Sequence, residues 1–299
     1  MMSVFFYHKP VMPDETTKYL ITSNKGLYAD CTFGGGGHSF HFLEKFDNIK
    51  ILAFDQDADS YEYFLKNEQN KHFHNRIIFC RSNFRNILKI IKEKGFDRIN
   101  GVFADLGVSS KQLDDMARGF SFNSDEILDM RMDRTKNISA YEIINSCSEE
   151  ELQNIFFEYG EESFAPQIAA QIVRSRLKGK IRTCRQLSGI VSTVKWKKDK
   201  INPATKIFQA LRIYVNDELG SLRDFLDSLP EILLPGARAV ILTYHSLEDR
   251  MVKQSFKNLH KNGLKIINKK VIIASEAEAI SNPRSRSAKM RVLENSKNG

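Results

Sequence analysis

The chain has 299 residues, enough for one large domain or two modest ones with a buried core, and it needs no covalent staple. Its cysteines, Cys31, Cys80, Cys147 and Cys184, have no Cys-x-x-Cys spacing, and Asp14 and Glu15 arrive too early for the basic-then-apolar layout of a signal peptide. No uncharged apolar run is long enough to span a bilayer, so we expect a cytoplasmic chain with no membrane partner, and the formal charge of +8 points to a polyanionic one.

The first informative stretch is GLYADCTFGGGGHS at 26–39. Alternating Leu27, Ala29 and Cys31 fit a buried strand, and Gly34 to Gly37 permit positive φ and close approach of a ligand to bare amides. The dinucleotide fingerprint fails, because counting six places from Gly34 or Gly35 reaches Ser39 or Phe40 instead of glycine. A triphosphate-cradling loop fails too, since His38 stands where its lysine belongs. Asp30, Thr32, Gly34 and Gly36 keep the alternate spacing of an S-adenosylmethionine loop, with Thr32 in place of the first glycine. A merely flexible turn stays open as the alternative. The second strand, ILAFDQD at 51–57, brings Asp55 nineteen positions after Gly36, near the separation at which a second-strand carboxylate meets a ribose diol. Two acids at consecutive strand ends favour a nucleoside-containing cofactor over solvated strand-end acids.

Strand-like runs at 27–31, 50–55, 76–80, 99–105 and 237–244 alternate with helical patterns, as in an α/β fold with a doubly wound parallel sheet. The gap between the fourth and fifth runs is too long for one crossover. It holds capping boxes at Ser148/Glu151 and Thr183/Gln186 and an apolar helical face of Phe164, Ile168, Ile172 and Val173. We therefore expect an inserted α-helical substrate-recognition domain at 113–203, between the two parts of an S-adenosylmethionine-binding domain at 1–112 and 204–299, with the pattern Phe208, Leu211, Val215, Leu219, Leu222, Phe225 and Leu229 rejoining the sheet. Segments 264–273 and 287–293 are expected to be the last two strands. Between Arg174 and Lys206 eleven cations face one anion, Asp199, and Arg250 to Lys270 holds seven cations and no acid. Such one-sided stretches suit nucleic acid, with Trp196 a possible stacking face. His72 and His74 with distant Cys80 lack a four-ligand metal spacing.

After the fourth strand, ADLGVSSKQLDDMARGFSF (104–122) and LDMRMD (128–133) closely resemble the signature of the RsmH (MraW) family of ribosomal RNA cytosine-N4 methyltransferases. Blocks matching in the same order are HKPVMPDE (8–15), TFGGGGHS (32–39), YGEE (159–162), NPATKIFQALRIYVNDEL (202–219), YHSLEDR (244–250) and SRSAKMR (285–291). Departures are Lys111 for a common proline, Glu126 and Ile127 for Gly-Pro, Asn202 for histidine and Lys206 for arginine. The resemblance implies a Rossmann-like class I methyltransferase that moves a methyl group from S-adenosylmethionine to the exocyclic amine of a decoding-centre cytidine in 16S ribosomal RNA, within the small ribosomal subunit. It also implies that Gly36, Gly37 and His38 line the methionine and ribose, Asp55 holds the ribose, Phe84 flanks adenine, and Asp105 and Gln112 complete the pocket. The blander alternatives are a core aromatic for Phe84, a helix-start histidine for His38 and a polar turn for Gln112.

Cytosine N4 is a poor nucleophile because its lone pair is delocalised into the ring. Asp105 at a strand end is the candidate catalytic acceptor of its hydrogen, with a nearby backbone carbonyl as the alternative, and no covalent intermediate is required. Phe120 and Phe122 are candidates to hold a flipped base, the alternative being that they anchor the loop. Tyr244, His245, Ser246, Glu248 and Asp249 fall just past the fifth strand, where they can shape a cytidine pocket. The rival readings are a ribosome-assembly binding protein without turnover and a methyltransferase acting on another substrate.

Overall fold

The computed structural model describes residues 9–195 and 202–296, so Trp196, Lys197, Lys198 and Lys200 lie outside the described residues. The chain forms two compact units, one of residues 1–107 and 219–299, the other of residues 108–218.

The first unit is built on strands β1 (Lys25–Asp30), β2 (Asn48–Asp55), β3 (Ile77–Arg81), β4 (Ile99–Asp105), β5 (Leu233–Thr243), β6 (Lys265–Ile266), β7 (Ile272–Ile273) and β8 (Lys289–Glu294). Their order is β3-β2-β1-β4-β5-β8-β6, with β7 also on β8. The first five run parallel, and β8 is antiparallel to β5. Alternation along each strand divides the side chains between two cores. Leu27, Ala29, Leu52, Phe54, Val102, Ala104, Ala239 and Ile241 face one way, where Ile87, Ile91, Leu222, Phe225, Leu229, Val252 and Phe256 cover them from helices. Tyr28, Ile51, Ala53, Phe103, Val240 and Leu242 face the other way, under Leu20, Phe40, Phe42, Leu43 and Phe64. A parallel sheet buried on both faces reads as near-continuous apolar runs, which is why these strands are conspicuous in the sequence. The strand order reverses between β1 and β4, and ligands of such sheets bind outside the carboxyl ends at that point.

The expected single strand at 264–273 is two short ones. At Asn268 the side chain stands in for the backbone, accepting from Val292 N at 2.7 Å and donating to Met290 O at 2.9 Å, so the ladder to β8 is interrupted.

The second unit is helical, with Ala140–Ser146, Glu149–Gly160, Ala165–Arg176, Cys184–Val194 and Thr205–Asn216 around one apolar core. Capping boxes at Ser148/Glu151 and Thr183/Gln186 start two of these helices. Its limits differ from the expected 113–203. The amphipathic run from Phe208 to Leu229 is broken by Asp217, whose φ of 50° ends the helix Thr205–Asn216 before the helix Glu218–Ile232 begins. Phe208, Leu211 and Val215 thus belong to the helical core, whereas Leu222, Phe225 and Leu229 belong to the sheet.

Candidate active site

Strands β1, β2 and β4 each end in an aspartate at the carboxyl edge of the sheet. Asp30, at the end of β1, is buried; it accepts from Thr32 N at 3.1 Å and from the Ser39 hydroxyl at 2.7 Å. Burial pushes its carboxyl up to about 6 against the opposing pull of Ser39. Asp55, at the end of β2, accepts from Gly34 N and Asp57 N, each at 2.8 Å. Burial raises it to about 6 as well. The acid expected to hold a ribose is therefore also the clamp that folds the glycine loop. A carboxylate has about four acceptor sites, so the two amides and the Ser60 hydroxyl, which also lowers its pKa, leave an acceptor for a ribose diol.

Gly36 starts the helix Gly37–Lys45 at φ 78°, and a Cβ there would lie 2.5 Å from the Phe40 ring and 2.7 Å from that of Phe33. Its lack of a side chain is thus explained by backbone conformation and packing. Gly34, Gly35 and Gly37 remain partly accessible, and no side chain caps the first turn, so the amide end of the helix suits an anion such as a ligand carboxylate. His38 is buried, with its Nε2 2.8 Å from Val11 O. A carbonyl only accepts, so Nε2 carries the hydrogen and Nδ1 presents a lone pair. Burial also lowers the His38 pKa, which keeps the ring neutral near pH 7.

Asp105 closes β4. Its amide donates to the Thr32 hydroxyl at 2.6 Å, its Oδ1 accepts from the Tyr244 hydroxyl at 2.5 Å, and its Oδ2 lies 3.9 Å from His38 Nδ1. A quarter of the side chain is accessible. Burial pushes this carboxyl up to about 7, Tyr244 pulls it down, and the Glu248 charge pushes it up again. The Tyr244 phenol is raised well above its usual range by burial and by the Asp105 charge, so it stays protonated and remains the donor. Sequence places Tyr244 on this edge without pairing it with Asp105. The signal is the parallel register Asp105↔Leu242, which sets Tyr244 two residues past the level of Asp105.

The other expected residues fall as follows. Phe84 lies after β3, half-buried, with its ring edge-on to Phe225 at 5.5 Å. Gln112 belongs to the second unit, where its amide oxygen accepts from Ser109 N at 3.0 Å in a capping box that starts the short helix Ser110–Asp114. Phe120 is a correction: it is buried in the helical core, and Phe122 packs edge-on against Phe208 at 6.1 Å, so the pair anchors its loop. Glu248 caps its own helix, accepting from Tyr244 N at 2.9 Å.

Comparison with known proteins places these features in one lineage. The model of the MraW methylase family matches residues 5–296. This chain belongs to that family. A protein of Endomicrobium trichonymphae named ribosomal RNA small subunit methyltransferase H is 50% identical over 289 residues, which cover 96% of this chain and 98% of that one. One of Trichormus variabilis with the same name is 46% identical over 292 residues, covering 97% and 92%.

Several blocks that carry the MraW methylase resemblance turn out to hold the fold. Val11 takes the His38 hydrogen bond, and the next amide, of Met12, donates to Glu278 at 2.7 Å. Asp249 of the 244–250 block binds Arg291 of the 285–291 block at 2.7 and 3.1 Å. In the helical unit Gly160 lets two helices meet, since a Cβ there would sit 2.8 Å from Lys206 O. The cation-rich tract is likewise partly structural. Arg176 donates to Ile144 O and Cys147 O, Arg185 pairs with Asp125, Lys195 with buried Glu162, and Lys206 caps the helix ending at Gly160 through Glu161 O. Among the described residues no helix is long and apolar enough to cross a membrane, and the four cysteines form no disulfide.

Proposed function

We propose that this chain is a ribosomal RNA methyltransferase of the small subunit, and that it moves the methyl group of S-adenosylmethionine to the N4 amine of a decoding-centre cytidine in 16S ribosomal RNA. The names of its relatives support the coarser statement, and the chemistry of the carboxyl edge supports the finer one. The donor set fits a nucleoside sulfonium: Asp55 offers acceptors to a ribose diol, the amide end of the helix at Gly37 suits an amino-acid carboxylate, and half-buried Phe84 offers a face to a base. When bound, S-adenosylmethionine supplies an electrophilic methyl group for in-line displacement.

The observation that carries the reading is the state of Asp105. The Tyr244 hydroxyl occupies Oδ1, while neutral His38 turns a lone pair toward Oδ2, leaving Oδ2 as the atom able to accept a hydrogen from an incoming amine. A base with a pKa of about 7 is well matched to taking that proton at neutral pH. The amine's density rises as the hydrogen bond forms, and the proton has a place to go as nitrogen becomes cationic. The walls of the edge, Leu106 and Phe103, are apolar and buried, which strengthens each such contact. The test is to incubate the protein with labelled donor and small ribosomal subunits from a strain lacking the modification, then to identify the methylated nucleoside by mass spectrometry. N4-methylcytidine is expected. Label on C5, on a ribose, or nowhere refutes the assignment.

A further inference from the structure

The helix Ser246–Lys261 leaves the carboxyl edge immediately after Tyr244, the residue that binds Asp105. Its inward face is apolar, with Val252 and Phe256 buried in the sheet core. Its outward face carries Arg250, Lys253, Lys257 and Lys261, all exposed. Steps of three, four and four residues place these four on one stripe, since positions three and four apart on a helix are neighbours. At 1.5 Å per residue the stripe runs about 16 Å from Arg250 to Lys261.

Three of the four are held by nothing in the protein: among the described residues the ammonium groups of Lys253, Lys257 and Lys261 enter no ion pair or hydrogen bond. The only acids on this helix sit in its first turn, where Glu248 caps the amide end and Asp249 is paired with Arg291 and Lys289. No acid follows until Glu276. In the 174–206 tract half of the described cations are engaged, since Arg176, Arg185, Lys195 and Lys206 are tied to carbonyls or carboxylates of their own unit, while Arg174, Lys178, Lys180 and Arg182 are exposed.

We infer that this stripe is a phosphate track: the RNA strand flanking the target nucleotide runs along the outer face of the helix Ser246–Lys261, so that the sheet unit itself binds RNA backbone beside the reacting base. This rests on the proposed function and adds a surface to it. The partner is single-stranded, because a target base must leave any stack to reach a carboxylate at a strand end, and a narrow line of cations on one helix matches one backbone.

Each ammonium that neutralises a phosphate of a single strand steepens the dependence of log affinity on log salt by about 0.7, so three together contribute about 2. The experiment compares wild type with K253Q/K257Q/K261Q and with K25Q/K50Q/K94Q, an equal charge loss among exposed lysines at or near the amino-terminal edge of the strands. Binding to a fluorescent single-stranded fragment of 16S ribosomal RNA is measured across a salt series, and S-adenosylmethionine binding by calorimetry. We expect the stripe variant to lose about 2 from the salt slope, and hence to lose roughly twentyfold less affinity than wild type between 50 and 200 mM salt. The control variant keeps the wild-type slope, and all three bind the donor equally. Equal slopes in the two variants, or an unchanged slope in the stripe variant, overturn the track. If the stripe variant instead loses binding only to vesicles rich in anionic phospholipid, the surface belongs to a membrane and the inference fails. Wild type that binds the donor but no RNA removes the proposed function itself, a result distinct from failure of the track alone.

Discussion

The phenol of Tyr244 does two things for Asp105: it fixes the carboxylate's orientation and it stabilises the ionised form through a hydrogen bond. Removing the hydroxyl in Tyr244→Phe leaves the ring in place and takes away the stabilisation, so the Asp105 pKa rises further. Methylation by wild type is expected to increase with pH through about 7, where Asp105 ionises, and the midpoint in Tyr244→Phe to move upward by about one unit, read from single-turnover rates across pH. A structural role alone lowers the rate without moving the midpoint. Asp30 tests burial without catalysis. Its carboxyl titrates at about 6 in the folded chain against an ordinary 3.8, so stability is present below about pH 4 and is lost as pH rises through about 6. Asparagine carries no such proton. Asp30→Asn should therefore gain on wild type by of order 2 kcal/mol between about pH 4 and pH 8, measured by denaturant unfolding; a pH-independent difference contradicts the raised value. Of these residues the acids are legible in the sequence, because strand ends follow from apolar periodicity. The bond between Tyr244 and Asp105 is not, because it depends on the register of β4 against β5, two strands that the whole helical unit separates along the chain.

At the scale of elements, the signature loop after β4 is held by buried polar contacts. Arg118 is fully buried and donates to Arg131 O and Met132 O at 3.0 and 3.1 Å. Asn216 accepts from Met132 N at 2.7 Å and donates to Met130 O at 2.8 Å. Gly119, at φ 72°, lies so near this segment that a Cβ would come within 2.6 Å of Asp129 N. Asn216→Ala strands a buried amide and a buried carbonyl, and should destabilise the protein by about 2–4 kcal/mol in urea unfolding. A loss below about 0.5 kcal/mol would show that the clamp is dispensable. The sequence announces this loop as a family motif and places five strands within a few residues of those observed, since β1 to β5 are apolar on both faces. It misses the domain limit because periodicity runs unbroken through Asp217, and a left-handed φ at a non-glycine residue leaves no mark in the pattern. Asn268 misleads in the same way: a side chain that replaces backbone in a ladder looks like any polar residue within a strand.

For the whole molecule, the expectation that the sheet unit binds the donor and the helical unit recognises the substrate is testable without separating the units. All expected donor contacts except Gln112 lie in the sheet unit, whereas Gly160 lies in the helical one. Gly160→Ala forces a Cβ against Lys206 O and should lower stability by about 1–3 kcal/mol. Below its unfolding transition it should reduce methylation of ribosomal subunits while calorimetry finds donor affinity within about twofold of wild type; a parallel loss of donor affinity would place the donor site under control of the helical unit. The splice of one unit into the other also governs how the chain is made. β4 ends at Asp105 and its neighbour β5 ends at Thr243, so 138 residues must be added before that edge can be covered. At roughly 5–20 residues per second the half-built sheet waits on the order of ten seconds with an apolar strand open to other chains, while the helical unit, already complete, is free to fold. Synthesis of the helical unit is therefore an interval in which the uncovered β4 edge exposes the nascent chain to aggregation.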